Sequence, residues 1–389
     1  MQSIFKEIIS LENLNKSRSI LFNIMLTIEI FIVFLDKSDY HFGYESYVFR
    51  VTFLISCIII LMGMREYDIR EWIMSFVLLS IAIISYKSSG RNEMLRFLAF
   101  IMACKGLDLR NKLKIFFYEN LIGFGLLIAL SVSGIYGRIM EQHTDGSMLY
   151  VFGFGNANAF HCMFMMILLL GLYIYSDSLK WYHYLILFFI NAVVYSLTSC
   201  EAAFAISALG IIGMFLQGVK IRDKSIIDCG FVYIAGIAAF AFSIAFSVWA
   251  AIVSKDAWWS QPIANVDRIL TGRIKNLYWN WNAHPGAIES WRLFSGRDTE
   301  YYFDMGWCRL FYWYGIIPAL CVIVLILVLY IRCMKQRDGY LLVMLACISV
   351  YTIVEAHVVS VYIGRNYILL FLGACIYSLF DRKDGEKIR

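Results

Sequence analysis

SKDAWWSQPIANVDRILTGRIKNLYWNWNAHPGAIESWRLFSGRDTEYYFDMG, residues 254 to 306, is the one long polar interruption in a chain that is otherwise apolar along its length. It holds Pro262 and Pro285, two of the three prolines, five of the ten tryptophans, and a cluster of arginines and acids with one histidine. On both sides lie apolar runs of near-spanning length. The stretch therefore reads as a large loop between membrane spans, and the chain as an all-α integral membrane protein.

Composition agrees: 60% of the 389 residues are hydrophobic and 16% charged, against roughly one-quarter charged in a soluble domain. The net charge of +5 says little here, because what matters is which side of the bilayer the Lys and Arg residues occupy. The cysteines are scattered singly, most of them inside apolar runs (Cys57, Cys104, Cys162, Cys229, Cys321, Cys347, Cys375), with no CxxC and no Cys/His spacing suited to a metal. They read as small apolar residues. The run from Ile20 to Leu35 follows Lys6, Lys16 and Arg18 as a signal peptide would. It lacks a small-x-small cleavage site and reads as a retained first helix.

Counting apolar runs gives about twelve spans, beginning near Ile20, Tyr47, Trp72, Glu93, Leu113, Asn158, Trp181, Ala202, Ile226, Trp307, Tyr340 and Asn366. With the N-terminus in the cytoplasm, the inner segments (the N-terminal tail, REYDIRE, KGLDLRNKLK, the Lys180 turn, KIRDKS, RCMKQRD and DRKDGEKIR) carry about twenty Lys and Arg residues. The short outer loops and helix ends carry about seven. Both termini are then cytoplasmic and the 254–306 loop is extracytoplasmic. No composition shift, low-complexity segment or inverted repeat divides the chain, so residues 1–389 read as a single polytopic domain. Only Pro318 falls inside a span, so the broken helices of secondary transporters are not signalled.

Four groups of polar residues fall on the outer side. In the loop, NVDRILTGRIKNLYWNW predicts a short amphipathic helix carrying Asp267, Arg268 and Arg273, with Ile269, Ile274 and Leu277 facing protein or lipid. An arginine fork at the membrane surface matches diphosphate oxygens, or else solvates the loop and touches headgroups. Trp258, Trp259, Trp279, Trp281 and Trp291 stack on sugars or sit in the interfacial belt. His284, in NAHPG, is either a proton acceptor for a sugar hydroxyl or an ordinary surface residue.

The second group is VFGFGNANAFH, where Asn156, Asn158 and His161 line the mouth of the sixth span, or the glycines serve packing and Asn158 is a helix cap. Glu201 in TSCEAAF sits at an outer junction between the seventh and eighth spans. The fourth group is VEAHVVSVYIGRN, with Glu355, His357, Arg365 and Asn366. Ionisable groups at membrane depth are functional candidates. The alternative is a structural ion pair, such as Glu355 with Arg50 or Arg96.

These segments resemble the bacterial O-antigen and capsular polysaccharide polymerases of the Wzy type, within the group that also contains O-antigen ligases. FGFGNANAF is similar to that family's FGF-(His/Asn)-Pro-Asn-x-F motif, RILTGRIKNLYW to its L-(Ser/Thr)-Gly-Arg-(Ile/Leu) helix, and FDMGWCRLFYWYGIIP to its Asp-Asn-x-Tyr-x-x-Leu-x-x-x-Tyr-Gly segment. The likeness covers roughly Val151 to the C-terminus, and the first half matches in topology and the KGLDLRNK turn.

Such a resemblance implies a GT-C-like, metal-independent glycosyltransferase without a cofactor. It would act at the outer face of the bacterial cytoplasmic membrane on undecaprenyl-diphosphate-linked oligosaccharide, in capsule, O-antigen or exopolysaccharide biosynthesis. A flippase and a chain-length regulator would be its partners besides the bilayer, and nucleic acid would not. By position Arg273 matches the family's loop arginine, Asn158 the entrance asparagine and Asp304 the acid before the tenth span. Arg273, Asp304 and His284 are then the catalytic candidates; Arg268, Arg297, Asn156, Asn158, Glu201, Glu355 and Arg365 are the substrate-binding ones. The chain departs from the family at Thr198-Ser199-Cys200-Glu201, where Glu201 stands in place of an arginine, and at Ala157, in place of a proline. Arg268, Arg297 and Arg365 are candidates for the missing cation. An O-antigen-ligase-like transferase is the nearest alternative and a flippase for the same lipid-linked units a further one.

Overall fold

The computed structural model describes residues 2–38, 40, 43–143, 146–221, 224–225, 229–279 and 284–378. Trp281, Arg222 and the basic tail DRKDGEKIR lie outside them. Among the described residues fourteen α-helices follow in order: α1 Gln2–Lys37, α2 Glu45–Met62, α3 Ile69–Ser89, α4 Glu93–Ala103, α5 Leu109–Val132, α6 Ala157–Ile174, α7 Trp181–Thr198, α8 Glu201–Gly218, α9 Gly230–Val253, α10 Gln261–Ile269, α11 Gly306–Tyr314, α12 Ile316–Gln336, α13 Gly339–Tyr351 and α14 Ile368–Ser378. Nine of them, α1 (from Glu12), α2, α3, α5 to α9 and α12, are long and apolar enough to cross a membrane. The chain is an all-helical, multi-pass membrane protein.

Three of the twelve apolar runs form shorter helices: α4, α13 and α14 have 11, 13 and 11 residues, where a straight span needs about 20. The run beginning at Trp307 is divided between α11 and α12 by Gly315, whose φ of +100° a side chain rarely adopts.

Backbone contacts group the chain into two compact units, neither continuous in sequence: residues 1–79, 95–163 and 362–389 form the first, 80–94 and 164–361 the second. Uniformly apolar composition leaves no boundary for sequence to mark.

The first unit is built on α1, which packs against α2, α5 and the 3-10 turn Ile363–Arg365. Phe22, Met25, Leu26 and Val33 of α1 are fully buried. So is Glu29, whose carboxylate accepts from Thr52 Oγ1 at 2.5 Å and from Arg96 Nη2 at 3.0 and 3.2 Å. The Arg96 guanidinium also lies 3.6 Å from the centre of the Phe49 ring. Gly364 presses on the α1 backbone so closely that a Cβ there would meet Glu29 O at 2.2 Å. Tyr362 hydroxyl reaches Asp36 Oδ1 at 2.7 Å and Glu45 Oε1 at 3.0 Å. Burial, then these carboxylates, push its pKa up and keep it a neutral donor.

The second unit is centred on α13, apolar on every side and buried. Its neighbours α8, α9 and α12 pack around it. Small residues let them approach: a Cβ at Gly213 would meet Val343 Cγ1 at 2.8 Å, and one at Gly236 would meet Leu342 Cδ1 at 2.6 Å. After Thr352 the chain leaves the helix as VEAHVVS, which carries Glu355 past the start of α11.

Candidate functional site

Arg273 is set by the turn that ends α10. The helix stops at Ile269, and Thr271 and Gly272 take left-handed φ of 53° and 83°. Gly272 N donates to Asp267 O at 2.9 Å and Thr271 N to Arg268 O at 3.1 Å, satisfying the last carbonyls of the helix. The buried Asp267 carboxylate then accepts from Ile274 N at 2.7 Å and Lys275 N at 3.1 Å, capping the next turn. The expected single amphipathic helix is thus two short pieces. Ile269 is exposed while Ile274 and Leu277 are fully buried, and Arg273 projects from the corner between the pieces. The cause is Gly272, which makes the left-handed corner available.

From that corner Arg273 Nε donates to Val354 O at 2.7 Å and Nη1 to Leu270 O at 3.2 Å and to Thr271 Oγ1. Its Nη2 lies 3.5 Å from Glu355 Oε1 and its Nε 3.9 Å from Asp304 Oδ2. Three segments far apart in sequence, LTGR, FDMG and VEAH, therefore meet at one guanidinium. Gly306 makes the meeting possible: its N donates to Thr352 O at 2.9 Å, and a Cβ would meet Ala356 Cα at 2.9 Å. Asp304 is the most open of the three side chains at 44% exposure, against 19% for Glu355 and 14% for Arg273.

A second cation sits beneath. Arg309 is buried, donates through Nε to Phe303 O at 2.7 Å, and lies 3.6 Å from the Tyr302 ring centre, within Coulombic reach of Asp304 and Glu355. Two acids are balanced by two arginines. Sequence reasoning passed over Arg309 because it lies in the aromatic run GWCRLFYWY; a charge inside such a run was itself the available signal. The cluster offers one solvent-facing carboxylate, Asp304, with an arginine nitrogen 3.9 Å away, suited to accept a hydrogen bond or a proton from a hydroxyl. Arg273 itself is already engaged, and holding a diphosphate would require it to release a partner.

The remaining candidates are spread more widely. Within the second unit, His284 stacks on Tyr278 with ring centres 5.2 Å apart and makes no hydrogen bond to Arg273, Asp304 or Glu355. Arg268 donates to Asn265 Oδ1 at 3.3 Å on the exposed face of α10. Arg297 lines a separate cavity. Glu201 is exposed in the first turn of α8, where its charge suits the positive end of the helix. Trp291 stacks on Phe311 at 4.4 Å, whereas Trp258, Trp259 and Trp279 are exposed.

In the first unit, Asn156 is the cap of α6: its Oδ1 accepts from Ala159 N at 2.7 Å. Asn158, the second residue of that helix, is exposed. Arg365 Nη2 reaches Cys162 Sγ at 3.4 Å. Phe152 and Gly153 of FGFGN have left-handed φ of 47° and 82°, folding Phe154 into a ring cluster with Phe34, Phe124 and Phe160. The envisaged partner of Glu355 is corrected: Arg96 pairs with Glu29, and Glu355 with Arg273.

Among the described residues no three His, Cys, Asp or Glu side chains come together to share a metal ion, and none of the ten cysteines is in a disulfide. Comparison with known protein families, curated proteins and solved structures yields no match. The class stands on composition and helices alone: a multi-pass, all-α membrane protein.

Proposed function

We propose that this protein is a glycan polymerase that joins undecaprenyl-diphosphate-linked oligosaccharide units at the outer face of the bacterial cytoplasmic membrane. The observation that carries the proposal is the convergence of LTGR, FDMG and VEAH on Arg273, with Asp304 and Glu355 beside it. In this proposal twelve spans, both termini in the cytoplasm, and the 254–306 loop outside give a GT-C-like layout that presents the cluster to the outer leaflet. Asp304 takes the proton of the acceptor hydroxyl. The acceptor oxygen bonds to the anomeric carbon of the donor chain, the bond from that carbon to the diphosphate oxygen breaks, and the lipid diphosphate leaves with the electron pair. A flippase supplies the units and a chain-length regulator limits the product.

Purified protein incubated with a defined undecaprenyl-diphosphate oligosaccharide, with and without chelator, tests this by chain length. A ladder that chelator does not alter is expected. Bound but unlengthened substrate would overturn the proposal, and transfer of finished chains onto another acceptor would replace it with ligation.

One observation favours a second function, movement of the same lipid-linked units. Glu29 on the spanning helix α1 forms a buried ion pair with Arg96 of the short helix α4, and carriers place charges at membrane depth. Reconstituted vesicles that translocate the labelled unit without lengthening it would favour this alternative.

A further inference from the structure

In the second unit a cavity of about 510 Å³ opens between the end of α3 and the 295–299 segment of the large loop. Its wall carries three cations, Lys87, Arg91 and Arg297, with Tyr86, Thr299 and the Gly90 turn. No carboxylate lines it. Lys87 and Arg297 have no hydrogen-bond or ion-pair partner among the described residues, and Arg91 spends one amino group on Thr299 O at 2.6 Å. The nearby Asp298 is occupied elsewhere, holding Arg292 through two contacts of 2.9 and 3.1 Å. The C-terminal end of α3 contributes about half a negative charge, too little to balance three cations.

The walls are pre-formed. Ser88 Oγ donates to Ser295 O at 2.5 Å, and Arg91 N to Ser89 Oγ at 3.2 Å. The Arg91 guanidinium stacks 4.2 Å from the centre of the Trp313 ring, so its remaining N–H groups are held in place rather than waving in solvent. Gly90, at φ +77°, makes the turn and leaves the Arg297 stem in contact, 3.9 Å from where a Cβ would sit. Three cations, one held by stacking and two open, around a space within the roughly 300–1,000 Å³ of small-ligand sites suit a multiply charged oxyanion larger than a single chloride.

We propose that this cavity is a phosphate-binding site, distinct in its residues from the Arg273 cluster, for a phosphate or diphosphate group carried by a lipid or a soluble ester. The proposal does not depend on the polymerase assignment. The contrast with Arg273 sharpens it: there each guanidinium nitrogen already faces a protein oxygen, whereas here Lys87 and Arg297 are open.

The test is binding to the full chain in nanodiscs, using inorganic diphosphate, undecaprenyl diphosphate and undecaprenol as probes, for wild type, Lys87→Gln/Arg297→Gln and Arg273→Gln. Both Lys87 and Arg297 are exposed and unpartnered, so the double variant is expected to fold. We expect diphosphate affinity to fall at least about tenfold in the double variant and much less in Arg273→Gln, with binding weakened by salt. Retention by inorganic diphosphate identifies a soluble phosphate source. Binding of undecaprenyl diphosphate alone, with undecaprenol inert, identifies a lipid headgroup. No binding of either phosphate by wild type, or equal binding by the double variant, overturns the site. A glycan ladder from wild type together with diphosphate binding unchanged in the double variant removes this site and leaves the polymerase standing; binding lost in the variant with no ladder in wild type does the reverse.

Discussion

Glu29–Arg96 and Glu355–Arg273 are the same pair of residue types put to opposite uses. In the first unit the pair closes at 3.0 Å with both side chains at 3% exposure or less, and Thr52 fills another carboxylate position. In the second unit the contacts are 3.5 and 3.9 Å, two carboxylates share one guanidinium, and Asp304 opens to solvent. A sealed pair must be complete, because a charge left alone in a low dielectric has nothing to replace its lost hydration. An open pair tolerates loss of one member, since water substitutes. The difference separates residues that hold the fold from those free to do chemistry.

The largest expected effect is at the sealed pair. Arg96→Ala strands the Glu29 carboxylate and is expected to destabilise by about 3–5 kcal/mol, while Glu29→Leu with Arg96→Met recovers most of it; thermal melts in nanodiscs measure both. A melt for Arg96→Ala equal to that of Arg273→Ala would erase the contrast between the sites. Next comes Gly364→Ala, where the new methyl meets Glu29 backbone and the expected cost is about 1–3 kcal/mol, read from the same melts. Gly272→Ala forces a side chain into the left-handed corner that aims Arg273, at about 1 kcal/mol, and chain-length assays should show it slower than its stability alone explains. Smallest in stability is Asp304→Asn, within about 0.5 kcal/mol of wild type. The same variant is expected to lose chain lengthening by about 100-fold or more. Full lengthening by Asp304→Asn would remove it as the proton acceptor.

The apolar runs made the helical membrane class legible, because hydrophobic length is a local property. Nine of the runs are long helices. The three short helices were not separable from spans by composition, since α13 is more apolar than most of the spans and is shortened by Asp338 capping its start and the irregular VEAHVVS segment after it. In the site, Arg273, Asp304 and Glu355 were each singled out from their own segments, yet their meeting was not readable. It depends on Gly306 admitting the 352–356 backbone and on the Thr271–Gly272 corner. Asn156 rather than Asn158 turned out to be the cap because the helix begins at Ala157. Lys87 stands singly in the last turn of α3 and Arg91 in the short loop after it, and only folding gathers them beside Arg297.

The contact of Gly364 on Glu29 also bears on how the protein is made. The first helix enters the bilayer while the segment that covers it is still untranslated, and at about 5–20 residues per second the interval is roughly 20–70 s. Arg96 is made about 70 residues after Glu29 and can neutralise it early, but the backbone groove that Gly364 fills stays open until Gly364 itself is made. A nascent chain halted before Tyr362 therefore lacks the Ile363–Arg365 turn that packs on α1, and docking of that turn completes the contacts made to α1 within the first unit.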